Sequence, residues 1–170
     1  KWLNGEIGDN SQKELARKIR YLFVVGNAVN GINRYPGQEK DLDIKTTVGQ
    51  YGRLEELLRL IRSDIQIIMC PGQHDAVWVG EPQLAVNKKF TSGLYDMENL
   101  HLVSNPSLIE LESNFKILMY HGASINHFIN EISEIRIKYK HNSPTRVAKE
   151  MLKRRHLAPT HGLMDYIPFE

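Results

Sequence analysis

Two predominantly apolar runs, Tyr21-Leu22-Phe23-Val24-Val25 and Ile65-Gln66-Ile67-Ile68-Met69, lack the alternation of a half-exposed strand. Such runs suit strands buried on both faces of a sheet. The first stops at Gly26 and the second at Pro71-Gly72, residues that end a strand and turn the chain. Between them Tyr51, Leu54, Leu57, Leu58 and Ile61 recur at helical spacing, which predicts a helix of several turns leading up to Asp64. Strand, loop, helix, strand is the order of a βαβ unit, parallel and right-handed. Ahead of it, Ser11-Gln12-Lys13-Glu14 has the spacing of a capping box, and Leu15, Ala16 and Ile19 give a short amphipathic helix.

The second half is more broken. Ile32 to Lys40 reads as a loop turning at Tyr35-Pro36-Gly37, and Ala76 to Ser92 reads as irregular. Leu100 to Val103 predicts a short strand ended by Asn105-Pro106. Leu108-Ile109-Glu110-Leu111 and Phe115 to Tyr120 predict two more strands around a turn at Glu112-Ser113-Asn114. Ser124 to Ile132 predicts a helix with Ile125, Phe128, Ile129 and Ile132 on one face. Ser143-Pro144 opens another, running to about His156, and Leu157 to Gly162 reads as a loop. There is no repeat, low-complexity segment or clear domain boundary, so the expectation is one α/β domain over residues 1–170.

Composition narrows little. With 170 residues, 41% apolar, 25% charged and a net charge of +2, the chain is ordinary for a globular domain. The near-neutral charge argues neither for nor against a nucleic-acid partner. The lone Cys70 excludes an internal disulfide and fits a reducing, cytoplasmic setting. No apolar run reaches membrane-spanning length, so no membrane partner is expected. The start at Lys1 without Met and the abrupt stop at Glu170 suggest a piece of a longer protein.

Candidate chemistry collects just beyond the predicted strands. Asn27 and Asn30 follow the first, Gln73-His74-Asp75 the second, and His121-Gly122 the strand after the turn. In open α/β sheets ligands gather at the carboxyl ends of strands. Imidazoles, amides and carboxylates converging there could hold a pair of divalent metals. Each fragment also has a plainer reading: Asn27 and Asn30 as turn residues beside glycines, His74-Asp75 as an Asx-stabilised loop, and His121 as a histidine at the core edge.

Taken together and in order, these residues resemble calcineurin-like metallophosphoesterases. Gly26-Asn27-Ala28-Val29-Asn30-Gly31 looks like their Gly-Asp-x-x-Asp-Gly block. Gly72-Gln73-His74-Asp75 looks like Gly-Asn-His-Asp, and Tyr120-His121-Gly122 like a later metal-binding histidine. Tyr35-Pro36-Gly37-Gln38-Glu39, Pro71 to Val77, Glu81-Pro82-Gln83, Ser124-Ile125 and His156 to Thr160 narrow the resemblance to the small subunits of archaeal family D DNA polymerases. The resemblance runs the whole chain. It implies a β-sandwich flanked by helices, incomplete at both ends, because the family's Asp-x-His and Gly-His-x-His blocks occur nowhere in these residues. It also implies a 3′→5′ proofreading exonuclease using two divalent metals, manganese or magnesium. The metals would polarise the phosphate and supply a hydroxide. By the same resemblance Asn27, Gln73 and His121 stand at metal positions, and His74 and Asp75 at catalytic ones. The partners implied are a large catalytic polymerase subunit and DNA, in a cytoplasmic, nucleoid-associated setting.

The chain departs from the pattern at three places. Asn27 stands where the family has the Asp that bridges both metals, Asn30 replaces a second acid, and Gln73 replaces an Asn one methylene shorter. Losing the bridging charge leaves two cations less well screened, on the order of several kcal/mol of metal affinity. Two functions are therefore open, an impaired exonuclease or a structural subunit that binds the large subunit. A plain α/β binding domain is a third. The cluster Lys149, Lys153, Arg154 and Arg155 reads as a solvated helix face or as a contact to DNA phosphates. Leu84 to Phe90 and the apolar residues near Trp78 are candidates for contact with a partner chain.

Overall fold

The strand Gln66–Cys70 (β2) is buried along nearly all its length because it has a parallel neighbour on each side. They are Tyr21–Val25 (β1) and Leu100–Leu102 (β3), in the order β1-β2-β3. The computed structural model describes residues 1–139 and 142–157. Within it Tyr21 faces Gln66 and Val25 faces Cys70, so β1 and β2 finish level. The Gly26 N–H donates to the Cys70 carbonyl at 3.0 Å and closes the last rung. That level finish sets the next two loops side by side.

Alternate side chains of the sheet serve two cores. Leu22, Val24, Ile67 and Met69 face Tyr51 and Leu58 of the helix Thr47–Arg59 (α2) and Leu94 of the helix Lys88–Tyr95 (α3). Tyr21, Phe23, Ile68 and Cys70 face Ile109, Ile117 and Met119 of an antiparallel hairpin, Ser107–Leu111 (β4) and Phe115–Met119 (β5). The hairpin turns through Ser113 and Asn114, both in the left-handed region at φ 63° and 61°. A three-stranded sheet with helices on one face and a second, small sheet on the other is thus the mixed α/β arrangement that the runs predicted. Each fully buried Ile or Met contributes about 1.5–3 kcal/mol.

Several expectations need correction. The first helix, Asn10–Lys18 (α1), is capped two residues earlier than its Ser-Gln-Lys-Glu spacing suggests. The Asp9 carboxylate accepts from Gln12 N at 2.9 Å and the Gln12 amide oxygen accepts from Asp9 N at 3.1 Å. Asp-x-x-Gln forms the same reciprocal cap, and it wins because it adds two residues of helix. β1 is half-buried rather than buried, since it lies at the edge of the described sheet. α2 stops at Arg59, short of Ile61. α3 begins within the stretch Ala76 to Ser92 read as irregular: Gly93 and the non-helical Thr91 weaken its pattern, while the Asn87 side chain caps it by accepting from Lys89 N at 2.9 Å.

The chain divides into two compact units, Lys1–Trp78 with Gln83–His121, and Val79–Pro82 with the chain from Gly122. All the elements above lie in the first. The second holds the helix Ile125–Glu131 (α4), a π-helical turn at Ile135–Tyr139 and the helix Pro144–Arg154 (α5), with Pro144 in the first turn. Phe128, Ile129, Ile135, Val147 and Met151 are buried. From Ala158 onward, the predicted loop Leu157 to Gly162 lies outside the described residues, as does the Ala158-Pro159-Thr160 part of the resemblance.

Candidate functional site

The three loops do converge. Gly26 and Asn27 both adopt left-handed backbone, at φ 74° and 50°, a region that glycine and asparagine enter most readily. A Cβ on Gly26 would lie 2.1 Å from His121 Nδ1. One on Gly72 would lie 2.6 Å from the Asn27 side-chain oxygen and 2.8 Å from His121 Cε1. These glycines are needed for close approach, which brings Asn27, Gly72 and the His121 ring into one cluster.

His121 is oriented from two sides. Its N–H donates to Asn105 Oδ1 at 2.8 Å, and its Nδ1 lies 3.1 Å from the Val25 carbonyl. A carbonyl only accepts, so Nδ1 carries a hydrogen in this contact. Asn105 is fully buried and donates to Gln83 Oε1 at 2.9 Å, while Gln83, also fully buried, donates to the Trp78 carbonyl at 3.1 Å. This amide pair is a supporting frame that sequence reading missed. Asn105 beside proline looked only like a strand stop.

Asp75 points inward and is 1% exposed. Its Oδ2 accepts from Gly72 N at 2.9 Å and Ala28 N at 3.3 Å, and its Oδ1 accepts from the Tyr51 hydroxyl at 3.0 Å. One carboxylate thereby ties the loop after β1, the loop after β2 and helix α2. Burial first, and then the Asp75 charge, push the Tyr51 hydroxyl far above its ordinary range, so it stays a donor to Asp75 while accepting from Ala76 N at 3.0 Å. Tyr51, read from the sequence as a plain helix-face residue, is thus part of the frame. So are two buried glutamines. Gln38 accepts from Arg34 N at 2.8 Å and donates to the Asn30 carbonyl at 3.2 Å. Gln50 accepts from Gly31 N at 3.0 Å and donates to the Gly31 carbonyl at 3.1 Å.

The remaining predicted residues lie further out. His74 is exposed, and its N–H donates to Asn27 Oδ1 at 3.0 Å, so the Asn27 amide staples one loop to the next. Gln73 is half-buried beside it and Asn30 is exposed. Lys149, Lys153, Arg154 and Arg155 lie in the second unit, all exposed. Lys153 and Arg154 both reach Glu150, at 3.0 and 3.5 Å. The Lys153 hydrogen bond is the main cause that holds the Glu150 carboxyl below its ordinary value.

Against known proteins, residues 2–170 match the family model that describes the B subunit of DNA polymerase alpha/epsilon. The chain belongs to that family. Its relatives include proteins named DNA polymerase II small subunit. The one from Methanothermobacter thermautotrophicus is 40% identical over 95% of this chain and 33% of its own length. That from Archaeoglobus fulgidus is 41% identical over 95% of this chain and 32% of its own, and that from Methanocaldococcus jannaschii 33% identical over 95% and 26%. The resemblance to archaeal family D small subunits therefore stands, and the chain spans about a third of the length of the first two relatives.

A two-metal centre can be tested against these residues directly. Asp75 is the one carboxylate on the loops Gly26–Gly37, Pro71–Ala76 and Tyr120–Ser124, and it faces away from the crevice into three donors. The predicted metal positions carry no carboxylate: Asn27 and Gln73 bear amides and His121 an imidazole. Asn27 Oδ1 is already an acceptor for His74 N. Among the described residues no three His, Cys, Asp or Glu side chains come together as a metal ion would require. Two dications repel each other and need anionic bridging ligands. The described residues of this chain do not fit such a pair.

Proposed function

We propose that this chain is part of the small subunit of a family D DNA polymerase, serving DNA replication beside a large catalytic subunit. We propose further that its phosphoesterase-type domain acts as a scaffold in which proofreading exonuclease activity is impaired or lost. Family membership carries the first part. The observation that carries the second is the internal commitment of the site: the sole loop carboxylate, Asp75, is spent on Gly72, Ala28 and Tyr51, and an amide stands at position 27. The calcineurin-like sandwich belongs to the same reading, supported by a sheet with helices on one face and the β4–β5 hairpin on the other. Trp78 and Leu84, at 73% and 80% exposed, are suited to contact with the large subunit. No helix among the described residues is long and apolar enough to cross a membrane.

The test is an exonuclease assay on a primer with a mismatched 3′ end, using the intact protein with manganese. The scaffold reading expects no nucleotide release from the natural protein. Release that appears only after Asn27→Asp with Gln73→Asn marks decay of an ancestral site. Manganese-dependent release by the unmodified protein as fast as by the Asn27→Asp, Gln73→Asn variant overturns the reading.

A further inference from the structure

Arg34 lies in the loop after β1, and its guanidinium rests on the backbone of the loop after β2. Nη2 donates to the carbonyls of His74 at 3.1 Å and Asp75 at 2.9 Å. Nε is buried, with no hydrogen-bond partner among the described residues. The residue is held from behind by its own N–H, which donates to the buried Gln38 side chain at 2.8 Å. Gly31 makes the fit possible: at φ 69° it lies so near that a Cβ would be 2.3 Å from the His74 carbonyl and 2.7 Å from Arg34 Nε. Nothing in the periodicity of the chain marks this arginine, and the function proposed above makes no use of it.

We infer that Arg34 is the resident cation of the strand-end loops. It supplies the positive charge that holds the two loops together, so the cluster assembles without metal. Two carbonyls turned towards one point repel each other unless a donor or a cation lies between them. The Asp75 carbonyl also accepts from Val77 N at 2.8 Å, but that bond stays within its own loop, whereas Arg34 joins the two loops. A hydrogen bond from a charged donor is about twice as strong as a neutral one. By fixing the His74 and Asp75 backbone, Arg34 also sets the Asp75 carboxylate beneath Gly72 and Ala28 and sets His74 N against Asn27. Arg34, Asn27 and Asp75 then form a closed set of contacts in which cation, amide and carboxylate all belong to the chain. A covalently attached guanidinium makes the loop geometry independent of the metal concentration.

Hydrogen exchange of the intact protein, resolved to single amides, tests this. Arg34→Ala should speed exchange at Gly72 and His74, whose N–H groups depend on the loop geometry, by about 10- to 100-fold. Ile68, in the middle of β2, should change by no more than about 3-fold. Removing metals from the unmodified protein with EDTA should leave Gly72 and His74 unchanged. If Arg34→Ala does not fold, Arg34→Lys, which keeps the charge but loses the planar fork, should speed the same two amides by about 3- to 10-fold. Unchanged exchange at Gly72 and His74 in the variant that folds overturns the inference, as does EDTA speeding their exchange in the parent. The outcome is separate from the scaffold reading. Nuclease activity would defeat that reading and leave the Arg34 contacts standing.

Discussion

Asp75→Ala discriminates sharply between a catalytic and a structural carboxylate. The substitution removes the acceptor for Gly72 N, Ala28 N and the Tyr51 hydroxyl, at 2.9, 3.3 and 3.0 Å, from a position 1% exposed. A buried donor left without a partner costs about 1–3 kcal/mol. The Ala28 contact is the longest and contributes least, so the sum is about 3–6 kcal/mol. That is a large share of the roughly 5–15 kcal/mol by which a domain is ordinarily stable. Asp75→Asn keeps one accepting oxygen for the two N–H groups and turns an NH₂ towards Tyr51, whose hydroxyl can accept it. Its cost should be about 1–2 kcal/mol. Urea unfolding followed by circular dichroism measures both, from midpoint and slope. The expected order is parent, then Asn, then Ala. Removing a carboxylate that serves catalysis alone typically leaves stability unchanged or raised. An Asp75→Ala variant within about 1 kcal/mol of the parent therefore refutes the structural role.

Three further outcomes are expected. The Tyr51 hydroxyl is raised by burial and by Asp75, so its stabilising effect is complete below the unfolded value of about 10 and is lost as pH climbs above it. Tyr51→Phe should therefore be less stable than the parent at neutral pH and show a shallower alkaline loss between about pH 10 and 11 in urea titrations. Cys70 is fully buried and its thiol is raised chiefly by that burial, so its reaction with a disulfide reagent should be about 100-fold slower in the native protein than in urea. If α5 meets DNA, replacing Lys149 and Lys153 by glutamine should flatten the salt dependence of binding by about 1–2 log units per log unit of salt, with Lys149 contributing more because Lys153 shares Glu150.

What could be read from the sequence was what depends on near neighbours. The continuous run of β2, the helical spacing of α2 and the turn at Glu112-Ser113-Asn114 are local patterns, and each forms its element. The convergence of the three loops was legible because both strands end at glycines and, when paired, finish level. The orientation of the groups was not. Whether Asp75 faces the crevice or the core depends on Tyr51, more than twenty positions earlier, and on an N–H at Ala28. The structural roles of Arg34, Gln38, Gln50, Gln83 and Asn105 were not legible for the same reason, because a polar residue gives no sign in its own neighbourhood that a distant carbonyl or amide will need it. The cap of α1 was missed for a smaller reason: two overlapping spacings were available, and Asp9 with Gln12 formed the box instead of Ser11 with Glu14.

The central claim is that the strand-end crevice is closed by the chain's own charges and not by a metal pair. Electron paramagnetic resonance of the intact protein titrated with manganese tests it most directly. The account predicts a spectrum of free or singly bound ions at every ratio up to two per protein. A spin-coupled manganese pair that saturates at two equivalents would contradict it.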